Sequence, residues 1–367
     1  MYSKQSPLVS FIVVAYNQEQ FIREAVEGAF SQIYSPLEII LSDDCSSDRT
    51  FKIMQEMVLA YQGPHRVVLN HNAKNMGLGA HVNLVMDMAQ GELCIGAAGD
   101  DISLPERTAC LTMTWLSKGR PSGIASGVIL IDEQGKCLGE KSGGPLADNY
   151  EDKLYSPAEL ANRFIEGKQI WLLGCSAAWS KLDWNLFGKM CNEIKNEDAV
   201  LSFRGCLRSG LCVIKQTLVK YRTHRNNISF IDTPVRLTLE HFKSQAMQSA
   251  QASKWLYAVG LSYQADLVVA EQKLDVNPRL LKNLKSAVDS RLAMHIMRQR
   301  WWELGVFPRL RHWKCSPCVS NRQLLFSLFG IEVFSLYMFA TYRIKNFLRA
   351  KAERILKIAE DSVRLTT

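Results

Sequence analysis

Residues 8–16 read LVSFIVVAY, residues 17–31 read NQEQFIREAVEGAFS, and residues 37–44 read LEIILSDD. The first segment is a short apolar, β-branched run bounded by polar residues, the pattern of a buried parallel strand. The second switches to helical period, with Phe21, Ile22, Ala25, Val26, Ala29 and Phe30 on one stripe. Asn17 is read as its N-cap, with Gln20 three residues on. The third is again a strand, and it ends on two aspartates. The alternation continues outward from there. A helix is expected over 50–61, a strand over 66–69, a helix over 78–89 and a strand over 93–98, which runs into Gly99-Asp100-Asp101. Strands alternating with helices predict an α/β fold, a mostly parallel sheet flanked by helices. In such sheets ligands bind outside the carboxyl ends of the strands. Tyr16, Asp43/Asp44 and Asp100/Asp101 all fall there.

Composition sets the outer bounds. The 367 residues are 47% hydrophobic and 22% charged, which excludes disordered, collagenous and low-complexity classes. Lys and Arg number 44 against 36 Asp and Glu, a net charge of +8 that favours an anionic partner. Ten cysteines sit mostly inside apolar runs without a disulfide-like pattern, as in a reducing compartment. Cys315 and Cys318 form a lone C-x-x-C with no second ligand pair, so two unrelated thiols are the plainer reading. The first apolar run breaks at Asn17 with no cleavage-site pattern, so no leader is expected and the cytoplasm is the expected location.

Beyond residue 120 the signals become mixed. A strand over 123–132 leads into a turn at Asp132-Glu133-Gln134-Gly135. Ser156-Pro157-Ala158-Glu159 is a capping box opening a helix to about Phe164. Helices are expected over 182–190 and 199–207, and a last strand over 211–221. Helical patterns dominate afterwards. The expected division is residues 1–231 for the α/β domain and 232–367 for a mainly helical C-terminal domain.

Three acidic groups stand out: Asp43/Asp44, Asp100/Asp101 and Glu197/Asp198. Adjacent carboxylates repel unless a positive group joins them. Hard oxygen ligands select magnesium or manganese, ions that keep waters and bridge substrate phosphates. One aspartate pair after a strand is as often a turn or cap; three pairs at one sheet edge are not. Neither a P-loop nor a G-x-G-x-x-G is present in the first βα unit.

Residues 9–50 (VSFIVVAYNQEQFIREAVEGAFSQIYSPLEIILSDDCSSDRT) and 75–105 (NMGLGAHVNLVMDMAQGELCIGAAGDDISLP) resemble the first two blocks of a family-2 glycosyltransferase of the GT-A fold. GCSAAWSK, NEDAVLSFRG and YRTHRNNIS within 174–229 resemble the third. The likeness covers residues 8–230 in order. It implies an inverting enzyme that moves a sugar from a nucleoside-diphosphate sugar, UDP-linked on the strength of Asp44 and Tyr16, to an acceptor hydroxyl in glycan or surface-polysaccharide synthesis. It implies that Tyr16 lies beside the base and that Asp44 accepts the uracil N–H. Asp100 would face ribose or diphosphate. Asp101 would bind a divalent metal, Mn2+ or Mg2+, with His224 touching metal or diphosphate. Asp198 would be the catalytic base. Glu197 either assists it or is a first-turn acid favoured by the helix dipole, the plainer choice. Arg222 and Arg225 either meet the diphosphate or are solvated. Arg204 either braces the carboxylates or is solvated. Ala98 stands where many members carry a further aspartate, which removes one ribose or metal contact.

Two rival functions make different demands on residues. A sugar-nucleotide pyrophosphorylase wants a glycine- and arginine-rich loop where this chain has Tyr16-Asn17-Gln18-Glu19. A catalytically degenerate assembly subunit is disfavoured by the intact Asp44, Asp101 and Asp198. Trp171, Trp179 and Trp184 suit sugar stacking, but at least two are expected in the core. In the tail, residues 324–342 are the most apolar stretch, followed by six basic residues against one acid over 343–357. A membrane span would have to tolerate Gly330 and Glu332. A buried helix pair at a homo-oligomer interface is the plainest reading, and an interfacial helix on anionic lipid comes a close second, ahead of a span and suited to a lipid-linked sugar acceptor at the inner face of the cytoplasmic membrane. Residues 298–314 mix basic groups with tryptophans, which also suits single-stranded nucleic acid; the nucleotide-sugar reading leaves nucleic acid out as a partner.

Overall fold

The computed structural model describes residues 6–141, 144, 152–224 and 239–300, with 337, 338, 340 and 341. Strands β1 (Val9–Ala15) and β2 (Leu37–Asp43) are buried almost throughout and pair in parallel from Val9↔Leu37 to Ala15↔Asp43. β3 (Arg66–His71) lies outside β2, and β4 (Leu93–Ala98) pairs with β1 from Val9↔Leu93 to Val14↔Ala98. Equal register brings β1, β2 and β4 to their carboxyl ends at one level.

The full sheet runs β3-β2-β1-β4-β9-β6-β10-β5. It takes in β5 (Ile102–Ser103), β6 (Gly123–Ile131), β9 (Ala177–Ser180) and β10 (Leu211–Arg222). The short β7 (Cys137–Lys141) pairs with β6 and β8 (Lys153–Tyr155) with β10. β9 is antiparallel to both β4 and β6 and fills the space between them. β10 is parallel to β6. β6 and β10 therefore point the same way as β4. The C-terminal end of β10 and the N-terminal approach to β9 both arrive at the edge where β1, β2 and β4 end.

Alternation along the strands sorts the two faces. Phe11, Val13, Ile39 and Leu41 join one apolar cluster with α1 (Ile22–Phe30), α2 (Thr50–Ala60) and α4 (Arg107–Ser117). Ile12 and Ile40, on the opposite face, are as deeply buried; α3 (Leu78–Met88) packs on β1 and α7 (Glu197–Leu207) on β6. The capping box forms as expected: Ser156 Oγ accepts the Glu159 N–H at 3.3 Å, with Pro157 opening α5 (Pro157–Ile165). The first helix differs from its expectation. It begins at Ile22, and Asn17 is no cap: its φ is +51° and its Oδ1 takes the Ser47 N–H at 2.8 Å, lacing the loop after β1 to the loop after β2. Trp179 and Trp184, the latter on α6 (Lys181–Phe187), are core residues.

The chain divides into two compact units, one of residues 1–230 with 255–291, the other of 231–254 with 292–367. The boundary expected at 231 is therefore not where the first unit ends. Part of α8 (Leu239–Lys273) and most of α9 (Pro278–Arg300) pack back onto the α/β unit. In the second unit, Gln299 Nε2 donates to Ser253 O at 3.1 Å. No helix among the described residues is long and apolar enough to cross a membrane. The apolar stretch 324–342, apart from four of its positions, lies outside the described residues, as do its basic flank, Arg225, Cys315 and Cys318.

Candidate active site

The C-terminal edge of the sheet is built from four chain segments. Tyr16 follows β1 and is 48% exposed, the one large aromatic of this loop open to solvent. Asp43 closes β2 and is fully buried. Its Oδ2 accepts from the Ser46 N–H at 2.8 Å and His71 Nδ1 at 2.9 Å, so it fixes the loop rather than facing a ligand. Asp44 accepts three hydrogen bonds: Asn72 Nδ2 at 2.8 Å and Met76 N at 2.9 Å on Oδ1, and Gly77 N at 2.9 Å on Oδ2. A carboxylate has about four lone-pair positions, so one on Oδ2 is left over. Behind them, Ser42 Oγ and His81 Nε2 are 2.6 Å apart. Burial pushes the His81 imidazole down, against an upward pull from Asp44 and Asp43.

After β4 the backbone turns, with the Gly99 N–H bonded to Val14 O at 3.0 Å and the Asp101 N–H to Ala98 O at 3.2 Å. Position 99 admits no side chain: a Cβ there would lie 2.4 Å from Gln18 Oε1 and 2.9 Å from Ala15 Cβ. The two following aspartates diverge. Asp101 turns inward. Its Oδ1 takes the Arg222 main-chain N–H at 2.8 Å, while Oδ2 has no well-formed hydrogen bond. Burial first, and the Asp100 charge second, push its carboxyl well up; the Arg222 N–H, the Cys175 thiol and the Arg107 guanidinium oppose that rise. Asp100 instead meets His224, Oδ2 to Nε2 at 2.9 Å, and the His224 ring packs on Phe21 with centroids 4.9 Å apart.

Arg222 lies at the same edge. Expected at the donor, it is 1% exposed and already engaged: Nε donates to Asp100 O at 3.0 Å, Nη1 to Glu133 O at 2.9 Å and Nη2 to Glu24 Oε2 at 3.1 Å. It ties the Asp100–Asp101 turn to β10 and α1. Arg204 likewise braces no site carboxylate and is not solvated; it pairs with Asp266 on α8, Nε to Oδ2 at 3.0 Å.

The fourth segment precedes β9. Gly174–Ser176 form one turn of 3-10 helix whose first two residues meet the two acid pairs. A Cβ at Gly174 would sit 2.7 Å from Glu197 Oε1 and 3.6 Å from Asp198 Cβ. One residue on, the Cys175 thiol leans on Asp101, and burial followed by that negative charge pushes the thiol well up, so it stays protonated. At the start of α7, Asp198 Oδ1 accepts the Ala199 N–H at 2.8 Å. Burial lifts Asp198, with the Ala199 and Gly174 N–H groups opposing. Burial and the Asp198 charge lift Glu197 further.

The structure thus brings Tyr16, Asp44, Asp100, Asp101, His224, Glu197 and Asp198 to one sheet edge. Gly174, Cys175 and Arg107 join them unforeseen. Arg107 is buried, donates to Gly96 O at 2.7 Å, and is lowered to about 10 by burial against the pull of Cys175 and Asp101. Nothing in its local sequence, at the start of an amphipathic helix, marks it as buried.

A divalent cation fits this edge on its donor chemistry. Among the described residues no cluster of three or more His, Cys, Asp and Glu has metal-ligating spacing. Manganese and magnesium bound with phosphates need only one or two protein ligands, and the Asp100 carboxylate is such a hard oxygen donor, with His224 hydrogen-bonded to its Oδ2.

An α/β sheet of this order with acidic groups at its carboxyl edge is a GT-A-type fold, and the solved structures agree. Residues 1–349 of Staphylococcus aureus TarS superpose with a TM-score of 0.50 at 14% identity, over 87% of this chain and 78% of that one. Residues 10–136 match the family described as Glycosyl transferase family 2. Bacillus subtilis "Putative glycosyltransferase EpsE" is 34% identical over 130 residues, 35% of this chain and 46% of that protein. Escherichia coli "Putative colanic acid biosynthesis glycosyl transferase WcaA" is 28% identical over 169 residues, 46% of this chain and 57% of that protein. The match therefore spans about half the length of these curated relatives.

Proposed function

We propose that the protein is an inverting glycosyltransferase that moves a sugar from a nucleoside-diphosphate sugar to an acceptor hydroxyl. The observation that carries this is the Gly174–Ser176 turn, which touches the Asp100–Asp101 pair on one side and the Glu197–Asp198 pair on the other. A diphosphate-facing pole and a proton-accepting pole are thereby set at one edge. Asp198 takes the acceptor hydroxyl's proton as the acceptor oxygen bonds the anomeric carbon and the bond to the diphosphate breaks. One displacement without a covalent enzyme intermediate inverts the anomeric centre. Asp100 and His224 would hold manganese or magnesium, with Asp100 in the place expected for Asp101, because Asp101 is turned into the protein. The cation supplies Lewis-acid neutralisation of the departing diphosphate. Tyr16 stacks on the base, and the remaining lone pair of Asp44 takes a pyrimidine N–H, which favours a UDP or dTDP donor. A UDP-GlcNAc complex is known for the TarS fragment of the same fold. The name of the WcaA relative favours a polysaccharide product. A glycan or lipid-linked sugar as acceptor, met at the inner membrane face, is favoured by the basic residues over 343–357.

The test is nucleotide release from a panel of UDP-, dTDP- and GDP-sugars with manganese, magnesium or EDTA. Release from one donor, lost with EDTA and in Asp100→Ala, supports the reading. Asp198→Asn should lower transfer by about 10²–10⁴-fold with nucleotide binding intact. No release from any donor, together with no calorimetric binding of UDP plus manganese, overturns it.

A further inference from the structure

The helix that carries the acid pair is backed by a segment far along the chain. On α8, Ala258, Val259, Ser262, Tyr263, Asp266 and Ala270 recur at three- and four-residue spacing, and all are buried. This stripe meets α7 and the loop before it. Ser262 Oγ accepts the Cys191 N–H at 3.0 Å. The Asp266 carboxylate receives two bonds from Arg204, at 3.0 and 3.2 Å, near the other end of α7. Between them Tyr263 packs its ring on Phe203, centroids 4.3 Å apart, and edge-on to Phe164 at 5.5 Å. Its hydroxyl donates to Ala199 O at 3.3 Å.

Ala199 is the residue next to Asp198, and its N–H is the donor to Asp198 Oδ1. Both polar main-chain groups of Ala199 are therefore held, one by the carboxylate and one by the phenol of α8. We propose that Tyr263 is a positioning residue for sugar transfer: by anchoring the Ala199 carbonyl it fixes the direction in which Asp198 presents its carboxylate. This rests on the glycosyltransferase reading above. Burial pushes the Tyr263 phenol well up, Arg291 pulls the other way, and the charges of Cys206, Asp198 and Asp266 add to the rise. The phenol is thus always the donor in this bond. Nothing in the family-matched residues 10–136 supplies the contact.

The test is Tyr263→Phe in the full chain, which keeps the ring and removes only the hydroxyl. Steady-state transfer with the donor found above should show kcat lowered by about ten- to a hundredfold, the scale of misplacing a catalytic group. Donor KM and the melting temperature should stay near wild type. In the Asp198→Asn background the same change should have little further effect on residual transfer, since the carboxylate it aims is gone. An unchanged kcat in folded Tyr263→Phe overturns the proposal. So does a loss that adds in full to that of Asp198→Asn, or one that appears equally in donor KM, because those mark a structural role. If the wild-type chain releases no nucleotide and binds no UDP with manganese, the parent reading fails and this one with it. An active wild type matched by its variant removes only the role of Tyr263.

Discussion

Asp198 and Glu197 are neighbours in a recess that disfavours charge. Burial lifts Asp198 to about 6 and Glu197 to about 8, so near neutrality the pair retains one proton and one carboxylate is free to act as base. Transfer should rise with pH through about 6, as the kcat profile will show. Glu197→Gln should keep that acid limb and remove any inflection near 8. The same groups bear on stability. Their folded values exceed the unfolded ones, so the folded state binds protons more tightly, and the stability they add at low pH is lost as pH climbs through about 6 and then 8. Melting of Glu197→Gln should therefore fall less steeply between those values than melting of the wild type. At this scale the sequence showed the carboxylates but not their directions. Asp100 and Asp101 are equivalent in a string. Only the β10 N–H that captures Asp101 tells them apart. Arg222 looked exposed because it ends a strand, yet the carbonyls of Asp100 and Glu133 turn it inward.

Among elements, the turn before β9 has the tightest tolerance. Gly174→Ala would place a methyl against Glu197 Oε1, and the acid pair must shift to make room. Transfer should fall while the melting temperature holds within a few degrees, a split that parallel activity and melting curves will detect. The ion pair between α7 and α8 behaves oppositely. Both partners are buried, so Asp266→Ala leaves Arg204 charged and unpaired, which costs about 3–5 kcal/mol in denaturant unfolding. The strands β1, β2 and β4 were legible because apolar runs of strand length stand between polar loops. β9 is not legible as a strand, because Ala-Ala-Trp-Ser has no periodicity and takes its antiparallel place from its two neighbours. The start of α1 was misread because tertiary bonds from Ser46 and Ser47 hold Asn17 outside the helix.

For the molecule as a whole, the α/β unit is discontinuous in the chain. A composition change near 230 marks the end of the sheet, not of the packing, since residues 255–291 return to cover α5 and α7. That return left no local signal: Arg204 and Asp266 are far apart in sequence, and neither has a partner nearby in the string. A chain ending at residue 230 should lack cooperative unfolding and transfer activity, as circular dichroism melts and the nucleotide-release assay would show. The order of the strands carries a consequence for synthesis. β4 and β6 never touch; β9 is the slat between them. While the ribosome adds residues at about 5–20 per second, the open side of β4 waits for residues 177–180 to emerge. For those seconds the nascent chain presents a bare apolar strand edge, the kind of surface that recruits other chains.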